Sequence, residues 1–590
     1  MKQEVFLGVS SGFHDSAAAL LDGDGRIIYA ASEERFSRIK GDSSWPEQSI
    51  NHAITVAKRQ NCAIKSVCCH ENIQRSVGWH LVNCLNPFSA KFKQFETLYS
   101  SLRRYSAFIE NIDVLLNKLS LTRHNLYFSD HHVSHAMGAF AYSPAASGLV
   151  CVFDAFGQGS SGFVGFFDSS FNKLRVKHNF DINHSIGLFY SAITRLCGFK
   201  VLTGEYKLMG LAPYGTPSMY KKLRDIFGNP TLQEFNTSIL DPFADDIANN
   251  DLVFALDIQQ RIPESPISQP YMDLAASAQT YLEELVVNIL KHEVSSLPKD
   301  LEKNIILGGG VALNCKLTHL IQKKFSDFDV YICPAAGDSG SAIGACYSKI
   351  LAEISAKPSF NTTAYLGTDV DPIEVKDYLG ILGFKIAGSP IDLKDDLISL
   401  LIEGKVGALF QGKSEFGPRA LGNRSIIADP SKHNALAKIN KFIKAREDFR
   451  PLAPITTIEL AQSHFNILSD DLLLHHMLTL VDVPLKVRHL IRSAVHIDGS
   501  ARLQVISQEE NHFAHALIST FYARTGVPAL INTSFNQRGE PIVNTLEDAL
   551  CCFSSANLDF LVAADSVLFR ESQDDALLFM HKNHAGFPLD

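Results

Sequence analysis

The sequence contains no run of about 18 apolar residues without a charge, which is the length that a membrane-spanning helix needs. Its first residues, MKQEVFLGVSSGFHDS, lack a basic segment followed by a long apolar one, so no signal peptide is predicted. None of the eleven cysteines stands in a CxxC pair, which argues against a zinc ribbon or a disulfide framework. These absences predict a reduced, cytoplasmic protein without a membrane partner.

A surplus of positive charge is also absent, because the net charge is −9 at pH 7. Broad nonspecific binding to nucleic acid is therefore not expected. Hydrophobic residues make up 46% and charged residues 20% of the chain, the profile of an ordinary globular protein. The 590 residues are too many for one core, and a prior of roughly 150 residues per domain predicts two to four domains.

Alternating strand and helix patterns predict a mixed α/β protein. EVFLGVS, SAAALLD and RIIYAAS are typical of three successive strands, with the turn signal DGDG before the third. Residues 47–125 show mainly helical periodicity, and residues 270–296 predict one long amphipathic helix. The segments LVCVFDAFGQGSSGFVGFF, NIILGGGVALNC and VYICPAAGDSGSAIG each place a glycine-rich or small-residue loop after a strand, where ligands commonly bind. The polar connector SAKPSFNTT breaks this pattern, so we predict two domains, 1–355 and 356–590.

Three histidines stand within five positions of the segment DHHVSHAMGAF. His131 and His135 are four apart, so on a helix their imidazoles face one side and could hold one metal ion, whereas His132 points elsewhere. Asp154 and Asp338 each follow a predicted strand, and with the two histidines they form a donor set suited to Fe(II), Mn(II) or Zn(II). The alternatives are a solvated helix start for the histidines and turn or helix-cap roles for the aspartates.

A second group of polar residues lies further along the chain. SEFGPRALGNRSI and NKFIKAREDFRPLAP place six basic side chains among glycine, proline and phenylalanine: Arg419, Arg424, Lys441, Lys444, Arg446 and Arg450. Basic side chains on rigid turns can bind phosphate or carboxylate oxygens, and the alternative is a solvated charged face. Arg502 in HIDGSARLQ and Asn532 in NTSFNQRGEP add to the polar residues of this half.

Ten motifs, in order along nearly the whole chain, resemble those of the NodU/CmcH carbamoyltransferases. They are GFHDSAAAL, SEERFSRIK, DHHVSHA, GEYKLMGLAPYG, GGGVALN, AAGDSGSAIGA, EFGPRALGNRSI, FRPLAP, HIDGSARLQ and NTSFNQRGEP. The resemblance implies an N-terminal domain of the actin/Hsp70/sugar-kinase (ASKHA) superfamily and a YrdC-like α/β C-terminal domain. It also implies that the C-terminal half makes carbamoyladenylate from carbamoyl phosphate and ATP, with Mg²⁺ accompanying ATP. The N-terminal half would then pass the carbamoyl group to a hydroxyl, releasing AMP.

The resemblance assigns roles to single residues. The catalytic histidine falls on His14, and an imidazole that titrates near pH 6.5 suits a general base at neutral pH. The family's iron site, with manganese or zinc as substitutes, falls on His131, His135, Asp154 and Asp338. Nucleotide contacts fall on Lys207, Gly309, Gly310 and Asn314. Carbamoyl phosphate contacts fall on Lys40, Arg419, Lys444, Arg450, Arg502 and Asn532.

The chain departs from the family in DAFGQG, where many relatives have an Asp-Gly turn followed by an acidic residue. Ala155 and Gln158 stand here instead, so contacts to substrate or nucleotide nearby would differ. The function predicted is an ATP-dependent O-carbamoyltransferase acting on a small hydroxylated acceptor, a natural product or a sugar-like molecule. The alternatives are an amine or RNA acceptor, or a non-catalytic nucleotide-binding regulatory module.

Overall fold

The computed structural model describes residues 2–84, 91–168, 173–240, 247–298, 301–354, 357–468, 470–582 and 586–587. The chain forms two compact units. The first comprises residues 1–37 and 41–362, and the second comprises residues 38–40 and 363–590. The predicted domain boundary, between residues 355 and 356, lies outside the described residues. No helix within the described ranges is both long enough and apolar enough to cross a membrane.

The first unit begins with a five-stranded sheet. Its strands are β1 (Gln3–Ser10), β2 (Ala17–Asp22), β3 (Ile27–Ser32), β4 (Cys62–Cys69) and β5 (Leu126–Phe128). The order across the sheet is β3-β2-β1-β4-β5. β1, β2 and β3 are antiparallel neighbours, whereas β4 runs parallel to β1 and β5 runs parallel to β4. The three strands predicted at the start of the chain are therefore confirmed.

A second five-stranded sheet in the same unit repeats this arrangement. Its strands are β6 (Gly148–Gly157), β7 (Ser160–Asp168), β8 (Lys173–Asp181), β9 (Asn304–Gly308) and β10 (Asp329–Ile332). The order is β10-β9-β6-β7-β8, with β6, β7 and β8 antiparallel and with β9 and β10 parallel to β6. Two sheets of the same order are the arrangement of the actin and sugar-kinase fold, which confirms the predicted class of this unit.

Helices cover and connect these sheets. They are α1 (Glu34–Ser37), α2 (Glu47–Arg59), α3 (Ile73–Cys84), α4 (Lys91–Leu119), α5 (His131–Phe140), α6 (Ile186–Leu196), α7 (Glu205–Leu211), α8 (Tyr220–Phe227), α9 (Asn250–Leu256), α10 (Gln269–Ser295), α11 (Cys315–Lys324) and α12 (Asp338–Glu353). The long amphipathic helix predicted over 270–296 is confirmed as α10. The mainly helical prediction for 47–125 is wrong at β4, because a short apolar run such as CAIKSVCC fits a buried strand as well as a helix.

The second unit is built on one mixed sheet. The strands of this unit are β11 (Gly407–Phe410), β12 (Arg424–Ala428), β13 (Ala453–Thr457), β14 (Val481–Asp482), β15 (Ser500–Ala501), β16 (Gln504–Ile506), β17 (Leu530–Ser534), β18 (Phe560–Ala563) and β19 (Ser566–Phe569). Seven of them form the order β16-β13-β17-β12-β11-β18-β19, and β14 pairs with β15 separately. Along β11, Leu409 packs into one core cluster, whereas Ala408 and Phe410 pack into another, so both faces of the sheet are covered.

The helices of the second unit complete its α/β character. They are α13 (Pro372–Leu382), α14 (Lys394–Ile402), α15 (Ala435–Ala437), α16 (Ile458–Phe465), α17 (Leu472–His475), α18 (Leu485–Arg488), α19 (His512–Thr525), α20 (Leu546–Ser555) and α21 (Asp575–Met580). This mixed α/β unit agrees with the class that was predicted for the C-terminal half.

Residues 38–40 belong to the second unit although they come from the start of the chain. The Arg38 guanidinium donates to Glu540 Oε1 over 2.8 Å and lies 3.2 Å from Asp548 Oδ1. It also donates to the carbonyl oxygens of Pro541 and Ile542, at 3.0 and 2.8 Å. These contacts tie the short segment that contains Lys40 to residues of the C-terminal half.

Candidate functional site

The structure brings His131, His135, Asp154 and Asp338 together as one buried cluster, in which the nearest donor atoms all lie within 4.8 Å of one another. The two histidines occupy the first turns of α5 and face the same side, as their spacing predicts. Asp154 lies near the end of β6, and Asp338 is the first residue of α12. Strand ends and helix starts thus supply the four side chains, which we call the donor cluster.

Glycines allow the elements that carry the donor cluster to approach closely. A Cβ atom at Gly344 of α12 would overlap the carbonyl oxygen of Ser134 in α5. A Cβ atom at Gly157, in the DAFGQG segment, would overlap the imidazole ring of His131. Side chains at these two positions would push α12 and the end of β6 away from α5. Close backbone packing therefore sets the separations within the donor cluster.

Short distances and opposite charges characterise the donor cluster. The Nε2 atoms of His131 and His135 are 3.2 Å apart, and each lies 3.3 Å from Asp154 Oδ2. Asp338 Oδ1 lies 3.2 Å from His135 Nε2 and 3.7 Å from His131 Nε2. Burial by itself would raise the pKa of both aspartates, but the neighbouring histidines lower it below the usual range. The carboxylates are therefore ionised and can attract a cation.

The donor cluster fits a divalent transition-metal ion. Two imidazole nitrogens and two carboxylate oxygens are a donor set that iron, manganese and zinc accept. In the described part of the chain, the buried Nδ1 atoms of His131 and His135 accept and donate no hydrogen bond, and the Nε2 atoms of both rings face the carboxylates. Both histidines thus direct Nε2 towards the centre of the cluster, as binding of one metal ion by both rings would require.

His14 lies beside the donor cluster, in the turn between β1 and β2. Its Nδ1 atom is 2.9 Å from Asp15 Oδ2, and its Nε2 atom is 3.7 Å from Asp338 Oδ2. Burial by itself would lower the pKa of His14, but the charges of Asp338 and Asp15 raise it to about 10. This value differs from the 6.5 of an isolated imidazole because two carboxylates flank the ring.

Three buried residues around the donor cluster were not foreseen as part of it. His132 is buried, with Nδ1 3.0 Å from Ser160 Oγ and Nε2 3.9 Å from Asp154 Oδ2, so it does not point away from the cluster as predicted. Glu71 Oε2 lies 3.7 Å from Nδ1 of His131 and 3.8 Å from Nε2 of His70. The sequence places two titratable side chains, His70 and Glu71, directly after β4, where ligand-binding residues are common, but no sequence pattern connects them to His131.

The predicted nucleotide-binding residues lie near the same cluster or take part in packing. The backbone N–H of Gly310 donates to Asp154 Oδ1 over 3.2 Å, and Gly309 has a φ of +86°, which favours glycine. Asn314 accepts a hydrogen bond from the Leu317 N–H at the start of α11 and exchanges hydrogen bonds with Gln279. Lys207 is buried, with Nζ 5.9 Å from the centre of the Phe199 ring. The GGG loop thus touches the donor cluster, and the Asn314 amide also caps a helix.

In the second unit, Lys444 and Asn532 lie buried at β17. The Lys444 ammonium donates to oxygens of Ser534 and Asn536, and burial together with the charges of Arg446 and Arg450 lowers its pKa. Asn532 Nδ2 donates to the Ala420 carbonyl over 3.0 Å and to Gln504 Oε1 over 2.6 Å. Hydrogen bonds thereby hold three residues of the NTSFN segment, namely Asn532, Ser534 and Asn536.

Two of the remaining basic candidates stand near residues that Asn532 contacts, counted along the chain. The half-buried Arg419 precedes Ala420, whose carbonyl accepts from Asn532, and the half-buried Arg502 stands two residues before Gln504, whose side-chain oxygen accepts from the same amide. Asn532 Oδ1 is buried and, among the described residues, accepts no hydrogen bond. Arg450 is also half-buried, with Nη1 3.5 Å from Glu447 Oε2. We call Arg419, Lys444, Arg450, Arg502 and Asn532 the basic group.

Arg424 has a structural position within the arginine-rich segment. It is fully buried, and its guanidinium donates to the carbonyl oxygens of Gln411, Gly412, Asn423 and Thr368. The guanidinium carbon lies 4.2 Å from the centre of the Phe410 ring. Backbone carbonyls therefore accept from both Nη groups of Arg424, and the sequence pattern that grouped it with anion-binding residues did not reveal this.

Comparisons with known proteins cover both units. The chain matches the Carbamoyltransferase N-terminus family model over residues 5–347 and the Carbamoyltransferase C-terminus family model over residues 398–570. An uncharacterized protein of Synechocystis sp. is 35% identical over 610 residues, which cover 96% of this chain and 97% of that protein. Nodulation protein NolNO of Sinorhizobium fredii is 32% identical over 571 residues, covering 94% and 79%. The 3'-hydroxymethylcephem-O-carbamoyltransferase of Amycolatopsis lactamdurans is 32% identical over 269 residues, covering 44% and 48%.

Proposed function

The chain belongs to the carbamoyltransferase family, and from this premise we propose that it is an ATP-dependent O-carbamoyltransferase that uses carbamoyl phosphate. The acceptor that we propose is a hydroxyl of a small molecule. The relative named as a 3'-hydroxymethylcephem-O-carbamoyltransferase supports an oxygen acceptor, since its printed name specifies transfer to oxygen. Carbamoyl transfer itself follows from the family, whereas the donor chemistry and the acceptor are the proposal.

We assign formation of the activated carbamoyl group to the second unit. Hydrolytic loss of phosphate from carbamoyl phosphate leaves carbamate, and attack of a carbamate oxygen on the α-phosphorus of ATP forms carbamoyladenylate and releases pyrophosphate. This step brings two anions together, so clustered cationic side chains lower its barrier. The basic group supplies three cationic side chains that lie half-buried, namely Arg419, Arg450 and Arg502. Lys444, buried beside β17, and Lys40, which belongs to the same unit, are the remaining basic residues.

We assign transfer of the carbamoyl group to the first unit. The acceptor oxygen attacks the carbamoyl carbon, the bond to the AMP oxygen breaks, and the proton of the hydroxyl passes to a base. His14 is the proposed base, because its Nε2 atom lies beside the donor cluster. The observation that carries the proposal is the position of Asp338, which lies 3.7 Å from His14 and 3.2 Å from His135. The proposed base and a cation-attracting cluster are thus adjacent, and His14 would be able to accept a proton once a bound cation offset the charge of Asp338, which raises its pKa.

The donor cluster would hold the divalent ion that the family resemblance implies, and His131, His135, Asp154 and Asp338 fit it. When bound, such an ion would offset the negative charge of Asp338, which raises the pKa of His14, and would neutralise charge on the departing AMP. The GGG loop, whose Gly310 N–H contacts Asp154, is the proposed site for the nucleotide phosphate.

An assay with labelled carbamoyl phosphate tests the proposal. The protein is incubated with carbon-labelled carbamoyl phosphate, ATP, Mg²⁺, Fe²⁺ and a fractionated cell extract, and labelled products are isolated. We expect a stable carbamoylated small molecule together with equal amounts of AMP and pyrophosphate, and no product when either ATP or carbamoyl phosphate is left out. Label transferred without ATP would contradict the adenylate route, and label found only on amines or RNA would contradict the hydroxyl acceptor.

A further inference from the structure

Glu71 stands behind His131, on the side opposite to the donor cluster. It follows β4 after one residue and is buried. Its Oε2 atom lies 3.7 Å from Nδ1 of His131, whereas Nε2 of the same ring faces Asp154 and Asp338. The hydroxyl of Ser76 donates to its other oxygen, Oε1. The carboxylate is therefore held in place by α3 while it faces the ring of a proposed metal ligand.

The two nitrogens of His131 require different protonation states for these neighbours. A neutral imidazole carries one proton, and a nitrogen that binds a metal ion must be free of it. When Nε2 faces the donor cluster as a ligand, the proton resides on Nδ1. Glu71 is the carboxylate on that side, so it favours the tautomer in which Nε2 is available. His70 Nε2, 3.8 Å from the same Glu71 oxygen, faces the carboxylate from another direction.

Gln158 holds the backbone of the same histidine. Its Oε1 atom accepts the backbone N–H of His131 over 3.0 Å, and its Nε2 atom donates to the Asn72 carbonyl over 3.0 Å. One side chain thus connects the start of α5 to the residue that follows Glu71. Gln158 has a φ of +50°, a left-handed conformation that few side chains adopt without compensating contacts. An acidic residue here could accept the first of these hydrogen bonds but could not donate the second.

We propose that Glu71 and Gln158 are positioning residues for the metal ligand His131, with Glu71 fixing the tautomer of the ring and Gln158 fixing its backbone. This inference rests on the proposed function, because it takes the donor cluster as a metal site. It explains what the unusual DAFGQG segment does: its glutamine supplies a donor and an acceptor at once. Both residues act through His131, and among the described residues neither forms a hydrogen bond with His135, Asp154 or Asp338.

Cobalt binding to the full-length protein tests the proposal without relying on activity. Metal is removed with a chelator, and Co²⁺ is titrated while its visible absorption bands are recorded. We expect Glu71→Ala to weaken Co²⁺ binding about 10–100-fold and to change the bands, as is usual when a carboxylate behind a ligand histidine is lost. Glu71→Gln should weaken binding less, because an amide oxygen in the same place still favours the tautomer with its proton on Nδ1. Gln158→Ala should also weaken binding, while Gln158→Glu should not fully restore it.

The matched control is Glu205→Gln. Glu205 lies in the same unit and accepts hydrogen bonds from the Ser191 hydroxyl and the Leu202 N–H, at 2.7 and 2.9 Å. The Glu205→Gln substitution should leave cobalt affinity and the absorption bands unchanged. If Glu71→Ala does not fold, Glu71→Gln and Gln158→Ala provide the same measurement.

Three results would overturn the proposal. The first is that the Glu71 and Gln158 variants keep the wild-type cobalt affinity and visible absorption bands. A lower thermal midpoint of the metal-free variants, without a change in cobalt binding, would count as this result. The second is a wild-type stoichiometry of two Co²⁺ ions, one of which disappears in Glu71→Ala, since Glu71 would then be a ligand. The third is a His135→Ala variant that binds cobalt as tightly as the wild type. That result would show that the donor cluster is not the metal site. It therefore distinguishes failure of the proposed function from failure of the positioning roles.

Discussion

The Nε2 atom of His14 lies 3.7 Å from Oδ2 of Asp338, whose other oxygen lies 3.2 Å from Nε2 of His135. One carboxylate therefore contacts both the proposed base and a proposed metal ligand. Changes at His14 and at His135 will perturb the same aspartate, so activity alone does not separate their roles. Metal content and the individual reaction steps do separate them.

The first prediction concerns His135. His135→Ala removes a nitrogen that lies between both aspartates, so the purified protein should lose bound iron, manganese or zinc, and carbamoyl transfer should fall below detection. Elemental analysis of the wild type and the variant, purified in parallel, measures the metal. His184→Gln is the matched control, because His184 lies in the same unit and pairs through Nδ1 with Asp181 over 2.8 Å. Full metal content in His135→Ala would show that the cluster is assigned wrongly.

The second prediction concerns His14. His14→Asn roughly preserves size and polarity but cannot accept a proton near neutral pH. Acceptor carbamoylation should fall by about 10²-fold or more, the usual contribution of a general base. Pyrophosphate release in a single turnover should persist, because we assign it to the other unit.

Quenched-flow measurement of both products distinguishes the outcomes for His14→Asn. If both steps are lost while the fold and metal content are retained, His14 is not a base for the acceptor alone. If carbamoylation is normal, His14 has a structural role in the turn between β1 and β2.

The third prediction concerns the basic group. Arg502→Ala removes a half-buried cationic side chain two residues before Gln504, which accepts from Asn532, and it should block pyrophosphate formation from ATP and carbamoyl phosphate. Arg524→Ala is the matched control, because Arg524 is exposed and donates to the Asp395 carbonyl over 3.1 Å on α14. A normal rate of pyrophosphate formation in Arg502→Ala would exclude the role that we propose for this arginine.

The fourth prediction concerns pH and the buried His475. Its Nδ1 atom lies 2.8 Å from Glu510 Oε2, and its Nε2 atom lies 2.6 Å from Asp470 Oδ1. Burial by itself lowers the pKa of His475, but the two carboxylates raise it above 6.5. Burial by itself raises the pKa of Glu510, but the His475 charge lowers it below 4.5. The ordinary pKa values, 6.5 for histidine and 4.5 for glutamate, apply to the unfolded chain. The ion pair therefore contributes fully to stability between pH 4.5 and pH 6.5, where both side chains are charged in the folded and in the unfolded state.

Above that window the contribution is lost as the pH rises through the raised pKa of His475, and below it the contribution is lost as Glu510 is protonated. We expect His475→Gln to lower the thermal midpoint by about 3–10 °C near pH 6, and by less at pH 9 and pH 4. Scanning calorimetry at these three pH values measures the differences. His515→Gln, which removes a pair with the exposed Glu459, is the control. A difference that does not vary with pH would contradict the ion-pair explanation.

Local patterns in the sequence predicted the single elements of the fold better than their pairing. The strands at the start of the chain, the long helix α10 and the glycine loop after β9 follow from periodicity over neighbouring residues. The duplicated strand order does not, because it depends on distant pairing such as that of Gln3 with Cys62. The strand β4 was missed for the same reason: its neighbours decide that it is a strand.

The candidate site shows the same division. The spacing of His131 and His135 predicted a common face, since four residues make about one helical turn. Glu71 and Gln158 were not predicted as neighbours of His131, because their contacts arise only after β4 and β6 meet α5. Arg424 could not be told apart from Arg419 in the sequence, because burial against backbone carbonyls leaves no local pattern.

The second unit is completed late in synthesis, because Arg38 and Glu540 both belong to it and lie far apart along the chain. They form an ion pair although 502 positions separate them along the chain. At about 5–20 residues per second, a ribosome needs roughly 25–100 s to proceed from one to the other. During that time the buried partner of Arg38 does not yet exist, so this ion pair forms only after residue 540 has been made. A fragment that begins at residue 363 would lack this arginine and would bury Glu540 without its cation.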